Sequence, residues 1–153
     1  MIKILFVCHG NICRSPMAEF ILKTMVEKQG YADKFEIASA ATSTEEIGKP
    51  VYPPARRKLA EHSISCDGKT ARQMTQRDYL YYDYIIAMDR NNLRNMKKFV
   101  GDDTDNKVSL LMSYTDRSGD VRDPWYTGDF EETWNDISEG CSALLKKIGG
   151  VIR

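Results

Sequence analysis

Read from its first residue, the chain opens on a nearly unbroken apolar run from Ile2 to Val7, interrupted only by Lys3. A run this short and apolar at successive positions predicts a strand buried on both faces within a parallel sheet. Met17, Phe20, Ile21 and Met25 then recur at helical spacing, with Gly30 as the stop. Ser15-Pro16 marks the start of that helix, Ser as a favoured N-cap and Pro at the first helical position. A second short strand is predicted over 35–40. A helix follows from Pro54 to about His62, with Arg56, Arg57, Lys58 and Glu61 on its solvated face. Residues 84–88 predict a third strand, 91–99 a helix and 108–112 a shorter fourth strand. The last helix starts near Asp129 or Phe130 and buries Trp134, Ile137, Cys141, Leu144, Leu145 and Ile148. Strands alternating with helices predict an α/β fold, a parallel sheet flanked by helices on both faces. Such sheets bind ligands at the carboxyl ends of their strands, and Cys8 stands at the end of the first.

Composition narrows the class. With 153 residues the chain has the length of one domain, expected to span 1–153. Its 22 basic and 22 acidic residues balance, which argues against nucleic-acid or anionic-membrane partners. No apolar run reaches the ~20 residues of a membrane span. The first residues lack the charged region, long apolar core and cleavage site of a signal peptide, so a cytoplasmic location is expected. The four cysteines, at 8, 13, 66 and 141, would stay reduced there. They form no C-x-x-C pair and no His/Cys cluster, so no metal or other cofactor is expected. Cys66 and Cys141 read as small buried hydrophobes.

Cys8 reads differently because of its neighbours in the chain, His9, Gly10, Asn11, Ile12, Cys13, Arg14, Ser15 and Pro16. This segment joins a strand to a helix N-terminus. Gly10 and Asn11 are the residue types that best adopt unusual backbone dihedrals, so the loop can curl its N–H groups inward around an anion. The helix start adds favourable potential, and the planar fork of Arg14 suits two oxygens of a phosphate. The same fields favour a thiolate on Cys8, and the Ser15 hydroxyl is placed to donate to the sulfur. A Cys and an Arg six positions apart are weak evidence alone. The strand before them, the Gly-Asn between them and the Ser-Pro after them together point to a nucleophilic cysteine in a phosphate loop.

The segment from Val7 to Pro16 resembles the signature loop of the low-molecular-weight protein tyrosine phosphatases. The resemblance continues in Ser39-Ala40-Ala41-Thr42-Ser43 with Ile47-Gly48, and in Ala71-Arg72-Gln73. It extends through Asp83–Asp89 with Asn92-Leu93-Arg94, and ends in Asp123-Pro124-Trp125-Tyr126. It implies the phosphotyrosine protein phosphatase I-like fold, a single α/β domain with a four-stranded parallel sheet. It also implies hydrolysis of phosphotyrosine or an aryl phosphate through a phosphocysteine on Cys8, with Arg14 binding phosphate. From the residues alone Asp123-Pro124 is an ordinary turn; the resemblance makes Asp123 the general acid and base. His9, Gly10, Asn11, Ile12, Cys13 and Ser15 then line the phosphate site, and Trp125 and Tyr126 either wall the cleft or belong to the core. The resemblance suggests Ser39 and His62 as partners of Asn11, although a lone His on a helix is more often a surface residue. Asp89 either tethers the loop or caps the next helix. Cys13 either traps the oxidised nucleophile as a disulfide, as the resemblance implies, or packs behind the loop.

Two positions depart from the family's pattern. His9 stands where an apolar residue is common, and Glu45 where members that favour aryl substrates often carry an aromatic. The acidity of Glu45 is expected to disfavour acidic peptides. The Tyr-rich stretch Tyr79, Tyr81, Tyr82 and Tyr84 is expected either to pack around the third strand or to supply an interaction surface or phosphorylation sites. Arsenate reductases share the loop but need two further closely spaced cysteines, and residues 67–140 contain none. A phosphate-binding module without turnover would need neither the thiol nor the acid, and a thiol redox protein would use a Cys8–Cys13 disulfide without hydrolysing esters. The expected partner is a phosphotyrosine-containing protein or a small aryl phosphate, met by a monomer that at most associates weakly.

Overall fold

The computed structural model describes residues 1–149, so the last four residues of the expected 1–153 domain lie outside the described range. Four strands, β1 (Ile2–Cys8), β2 (Phe35–Ala41), β3 (Tyr84–Ala87) and β4 (Val108–Leu110), pair in parallel in the order β2-β1-β3-β4. Ile4 of β1 stands opposite Ile37 on one side and Tyr84 on the other. This central place explains the unbroken apolar run. Ile4, Phe6 and Cys8 enter one core cluster, whereas Leu5 and Val7 enter a second. Residues of α1 (Arg14–Lys28), α2 (Pro53–Glu61) and α6 (Phe130–Gly149) build the first cluster, and those of α3 (Gln76–Tyr81) and α4 (Arg90–Val100) join the second. The helices thus cover both faces, as the pattern predicts. From β1 the chain crosses first to β2 and later to β3 on the opposite side, which makes the carboxyl ends of β1 and β3 a topological switch point.

Several boundaries differ from expectation for local reasons. Helix α1 begins at Arg14 with Cys13 as its capping residue and no side-chain cap, so Ser15 is not the N-cap. Its hydroxyl is engaged by Cys8 and Asn11 instead. The stop falls as expected. Gly30 adopts φ 78°, with Gly30 N–H donating to Glu27 O (3.0 Å) and Tyr31 N–H to Val26 O (2.8 Å), which is a Schellman ending. The fourth strand ends at Leu110, and Leu111–Tyr114 wind into a 3-10 turn. The six-residue α3 escapes a periodicity reading because it is shorter than two turns. Its signal was Thr75 three positions before Asp78, whose carboxylate accepts from Thr75 N–H at 2.8 Å in a capping box. Tyr79 and Tyr82 do pack in the core beside β3, whereas Tyr81 is exposed and donates to Glu36; Cys66 and Cys141 are buried as expected. Among the described residues, no helix is long and apolar enough to cross a membrane.

Gly140 sets how closely α6 approaches the turn after β4. A Cβ there would lie 2.5 Å from Leu111 Cγ, far inside the ~3.5–4.0 Å of a carbon contact, and Leu111 is fully buried. Gly140→Ala gains about 1 kcal/mol in helix propensity but overpacks the core, which typically costs about 1–3 kcal/mol and often more when the neighbour cannot move. The expected outcome is a net loss, seen in thermal unfolding as a Tm lower by about 2–6 °C.

Candidate active site

Residues 8–14 turn tightly from β1 into α1. The carbonyls of Cys8, His9 and Ile12 accept from Thr42 N–H (2.9 Å), Ser43 N–H (3.1 Å) and Tyr52 N–H (2.8 Å) of the flanking loop. The loop thus turns these carbonyls outward. Asn11 N–H points inward and donates to Cys8 Sγ at 3.3 Å, and Ser15 Oγ lies 3.0 Å from the same sulfur. With those carbonyls held by the flanking loop, the loop's amides are free to face an anion, as Asn11 N–H faces the sulfur.

Asn11 takes the left-handed conformation (φ 59°), which non-glycine residues rarely adopt. Its buried side chain holds the turn: Nδ2 donates to Ser15 Oγ (2.7 Å) and Ser39 Oγ (2.9 Å), and Oδ1 accepts from Arg72 N–H (3.3 Å). Gly10, expected to share the unusual dihedrals, does not have a positive φ. Its missing side chain instead makes room for Glu46, whose Cγ would lie 3.2 Å from a Cβ.

Behind Ser39 stands a charged cluster that the sequence reading overlooked. Ser39 Oγ donates to the buried Glu19 at 2.6 Å. Lys69 Nζ donates to Ser39 O at 2.9 Å and lies 3.7 Å from Glu19, while Lys23 pairs with Glu19 at 2.6 Å. Burial holds the Lys69 ammonium below its ordinary pKa, with Glu19 opposing that shift. The missed signal was a lone acid inside the otherwise apolar stretch from Met17 to Leu22. Ser39 is therefore a partner of Asn11, as the resemblance suggests, but His62 is not. His62 ends α2, is exposed, and stacks flat on Trp134 with ring centroids 3.6 Å apart. Lys69, from the loop beyond α2, supports Ser39 instead.

We expect Asn11→Ala to lower kcat/KM about 10²-fold, because a loop displaced by an ångström loses that much. Asn11→Gly separates the two causes. Glycine adopts the left-handed turn freely, so activity restored in that variant would assign the loss to backbone strain, and activity still lost would assign it to the side-chain tether.

Arg14 is almost fully buried and crosses the switch point. Its Nη1 donates to Asp89 Oδ2 (2.6 Å) and Val121 O (2.9 Å), and its Nη2 reaches Asp123 Oδ2 at 3.5 Å. Burial opposes its charge, but Cys8, Asp123 and Asp89 outweigh burial and hold its pKa above the ordinary value. Asp89 does both things expected of it. One oxygen tethers Arg14, and the other caps α4 by accepting from Asn92 N–H at 2.7 Å. Asp123 caps the short helix α5 (Pro124–Thr127), accepting from Trp125 N–H at 3.0 Å, with its side chain 27% exposed at the rim. Burial first, then Cys8 and Asp123, push the Cys13 thiol pKa well up, so it is a neutral neighbour of the loop.

Cys8, Gly10, Ile12, Cys13, Arg14 and Asp123 line a cleft of about 160 Å³, and Trp125 and Tyr126 form its outer wall. Both rings are largely exposed, at 53% and 84%, and so belong to the cleft rather than the core. Across the mouth His9 Nε2 lies 2.9 Å from Glu45 Oε2, which joins the two departures from the family pattern into one pair. The arrangement places a cysteine sulfur at the floor, a guanidinium and inward-facing loop backbone beside it, and a carboxyl group at the rim.

A cysteine–arginine loop at the switch point of a four-stranded parallel sheet defines an oxyanion-binding α/β protein with a thiol at the floor of its site. The model of the family "Low molecular weight phosphotyrosine protein phosphatase" matches residues 3–150, and the chain belongs to that family of hydrolases. The chain is 41% identical over 150 residues to the low molecular weight protein-tyrosine-phosphatase YfkJ of Bacillus subtilis, covering 97% of this chain and 96% of that one. The crystal structure of YfkJ superposes with a TM-score of 0.96 at 40% identity, over 100% of this chain and 98% of that chain. A low molecular weight protein tyrosine phosphatase from Streptococcus pyogenes gives 0.87 at 42% identity, covering 97% and 93%. A Drosophila arginine phosphatase, DARP, gives 0.88 at 31% identity, covering 95% and 97%.

Proposed function

We propose that the protein hydrolyses aryl phosphate monoesters, phosphotyrosine among them, through a phosphocysteine intermediate on Cys8. The observation that carries this reading is the convergence on one sulfur of Asn11 N–H and Ser15 Oγ, with Arg14 and Asp123 beside it. The substrate's phosphate would lie in the loop, two of its oxygens on the fork of Arg14. Asp89 and Val121 O hold that fork in place before substrate arrives, so it need not reorganise as charge develops. Cys8 Sγ attacks phosphorus, the bond to the aryl oxygen breaks, and the acid form of Asp123 gives that oxygen its proton. Water then attacks the phosphocysteine and loses its proton to the Asp123 carboxylate. The S–P bond breaks, inorganic phosphate leaves and the thiolate returns. Ser15 Oγ, 3.0 Å from the sulfur, supports the charge on sulfur at both ends of the cycle.

Trp125 and Tyr126 favour an aryl leaving group, because their exposed rings flank the path out of the cleft. The test is hydrolysis of p-nitrophenyl phosphate by reduced protein between mildly acidic and neutral pH. We expect turnover that EDTA leaves unchanged. No turnover by folded, reduced protein would overturn the reading in favour of phosphate binding or thiol redox chemistry.

A further inference from the structure

Beyond the wall of the cleft a second depression opens, and it shares Ile12, Glu46 and Trp125 with the first. At about 530 Å³ it is more than three times as large, within the range of sites that hold a peptide side chain or a small ligand. Val51 and Tyr52 give it an apolar floor. Tyr52 is packed on Trp125 with ring centroids 4.8 Å apart, so the aromatic wall of the cleft is also the near wall of the groove.

The groove differs from the cleft mouth in charge. Lys49, Arg56 and Arg57 line it, against the single carboxylate of Glu46. Glu46, half-buried, is already paired with Lys49 at 2.6 Å, which leaves its carboxylate partly neutralised; Arg56 pairs with Asp67 at 3.1 Å in a solvent-exposed pair, the kind worth little and readily exchanged. Among the described residues, Arg57 has no carboxylate within 4.0 Å. Arg56 and Arg57 also lie near the start of α2, whose first turn carries no acidic residue to offset the positive end of the helix. Glu45 stands on the far side of the cleft mouth, 2.9 Å from His9, and does not line the groove.

We propose that this groove is a peptide subsite, and that it selects phosphotyrosyl polypeptides carrying an acidic side chain close to the phosphotyrosine; the proposal rests on the phosphatase reading above. The phosphotyrosine would occupy the cleft, the chain beside it would cross the Tyr52–Trp125 ridge, and the acidic group would meet Arg57. A small aryl phosphate fills the cleft alone and gains nothing from the groove.

The test compares three phosphotyrosyl peptides, identical except for Asp, Ala or Lys at the positions flanking the phosphotyrosine on both sides. Wild-type protein should favour the Asp over the Lys peptide by about five- to tenfold in kcat/KM at low salt, a preference that fades as salt screens it. Arg57→Glu should erase or invert the order while hydrolysing p-nitrophenyl phosphate at the wild-type rate. Binding of the same peptides to Cys8→Ser, followed by calorimetry, should show the same ranking without turnover. Equal use of the three peptides, a ranking that survives Arg57→Glu, or hydrolysis of p-nitrophenyl phosphate with none of any peptide would overturn the subsite and leave the phosphatase standing. Failure to hydrolyse p-nitrophenyl phosphate would instead remove the phosphatase reading, and the subsite with it.

Discussion

Cys8→Ser is expected to lower hydrolysis of p-nitrophenyl phosphate by about 10⁴-fold or more, the scale seen when a covalent nucleophile is removed. The reason lies in both halves of the cycle. In the proposed cycle a serine hydroxyl is a far weaker nucleophile than a cysteine sulfur, and an alkoxide leaves phosphorus far less readily than a thiolate. The rest of the loop does not depend on the sulfur. Asn11 remains tied to Ser15 and Ser39, and Arg14 to Asp89 and Val121. Inorganic phosphate should therefore still bind to the variant, within about tenfold of wild type by calorimetry, since the oxyanion contacts survive. Turnover undiminished in Cys8→Ser would eliminate Cys8 as the nucleophile.

Asp123→Ala is expected to reduce kcat by about 10²–10³-fold with little change in KM, in the range typical of general acid–base catalysis. The loss should be greater for phenyl phosphate than for p-nitrophenyl phosphate, because the nitrophenolate departs without much help. Asp123 has a second task, since its other oxygen caps α5. Asparagine keeps that cap and cannot donate a carboxylic proton. Asp123→Asn should thus keep the wild-type Tm and be as slow as Asp123→Ala. Equal KM increases in both variants with unchanged kcat would show that the residue positions substrate and transfers no proton.

The two variants draw on parts of the site that differed in how readily they could be read. Cys8, Arg14 and Ser15 stand within eight residues of chain, so the spacing that makes them a phosphate loop is itself in the sequence. Asp123 stands over a hundred residues away, and only the family resemblance distinguished it from an ordinary Asp-Pro turn. The case of Ser15 shows the limit of local reasoning. Ser before Pro at a helix start is a sound N-cap pattern, yet the hydroxyl bonds to the sulfur and to Asn11, partners that only the closed loop brings near.

Support for Asn11 was harder still. The resemblance suggests His62 beside Ser39 as a partner of its amide. Tertiary packing placed His62 flat against Trp134 and brought Lys69 to Ser39 and Glu19. Nothing in the spacing of residues 19, 39 and 69 foretells that they meet. They come from α1, β2 and the loop beyond α2, and a charged side chain reveals its burial only when its neighbours are known.

A continuous apolar run determined β1, and recurring apolar positions marked α1 and α6, because each lies against a continuous core. The same physics determined that the sheet is parallel and covered on both faces. Short elements, α3, α5 and the end of β4, were decided by capping bonds and by packing against Gly140, which no period records. The chemistry divides along the same line. Which residue carries the sulfur and which the guanidinium was determined by a contiguous motif. What orients them, and which acids face them across the switch point, was decided by strand order, because hydrogen bonds and charges act through distance in space and not through distance along the chain.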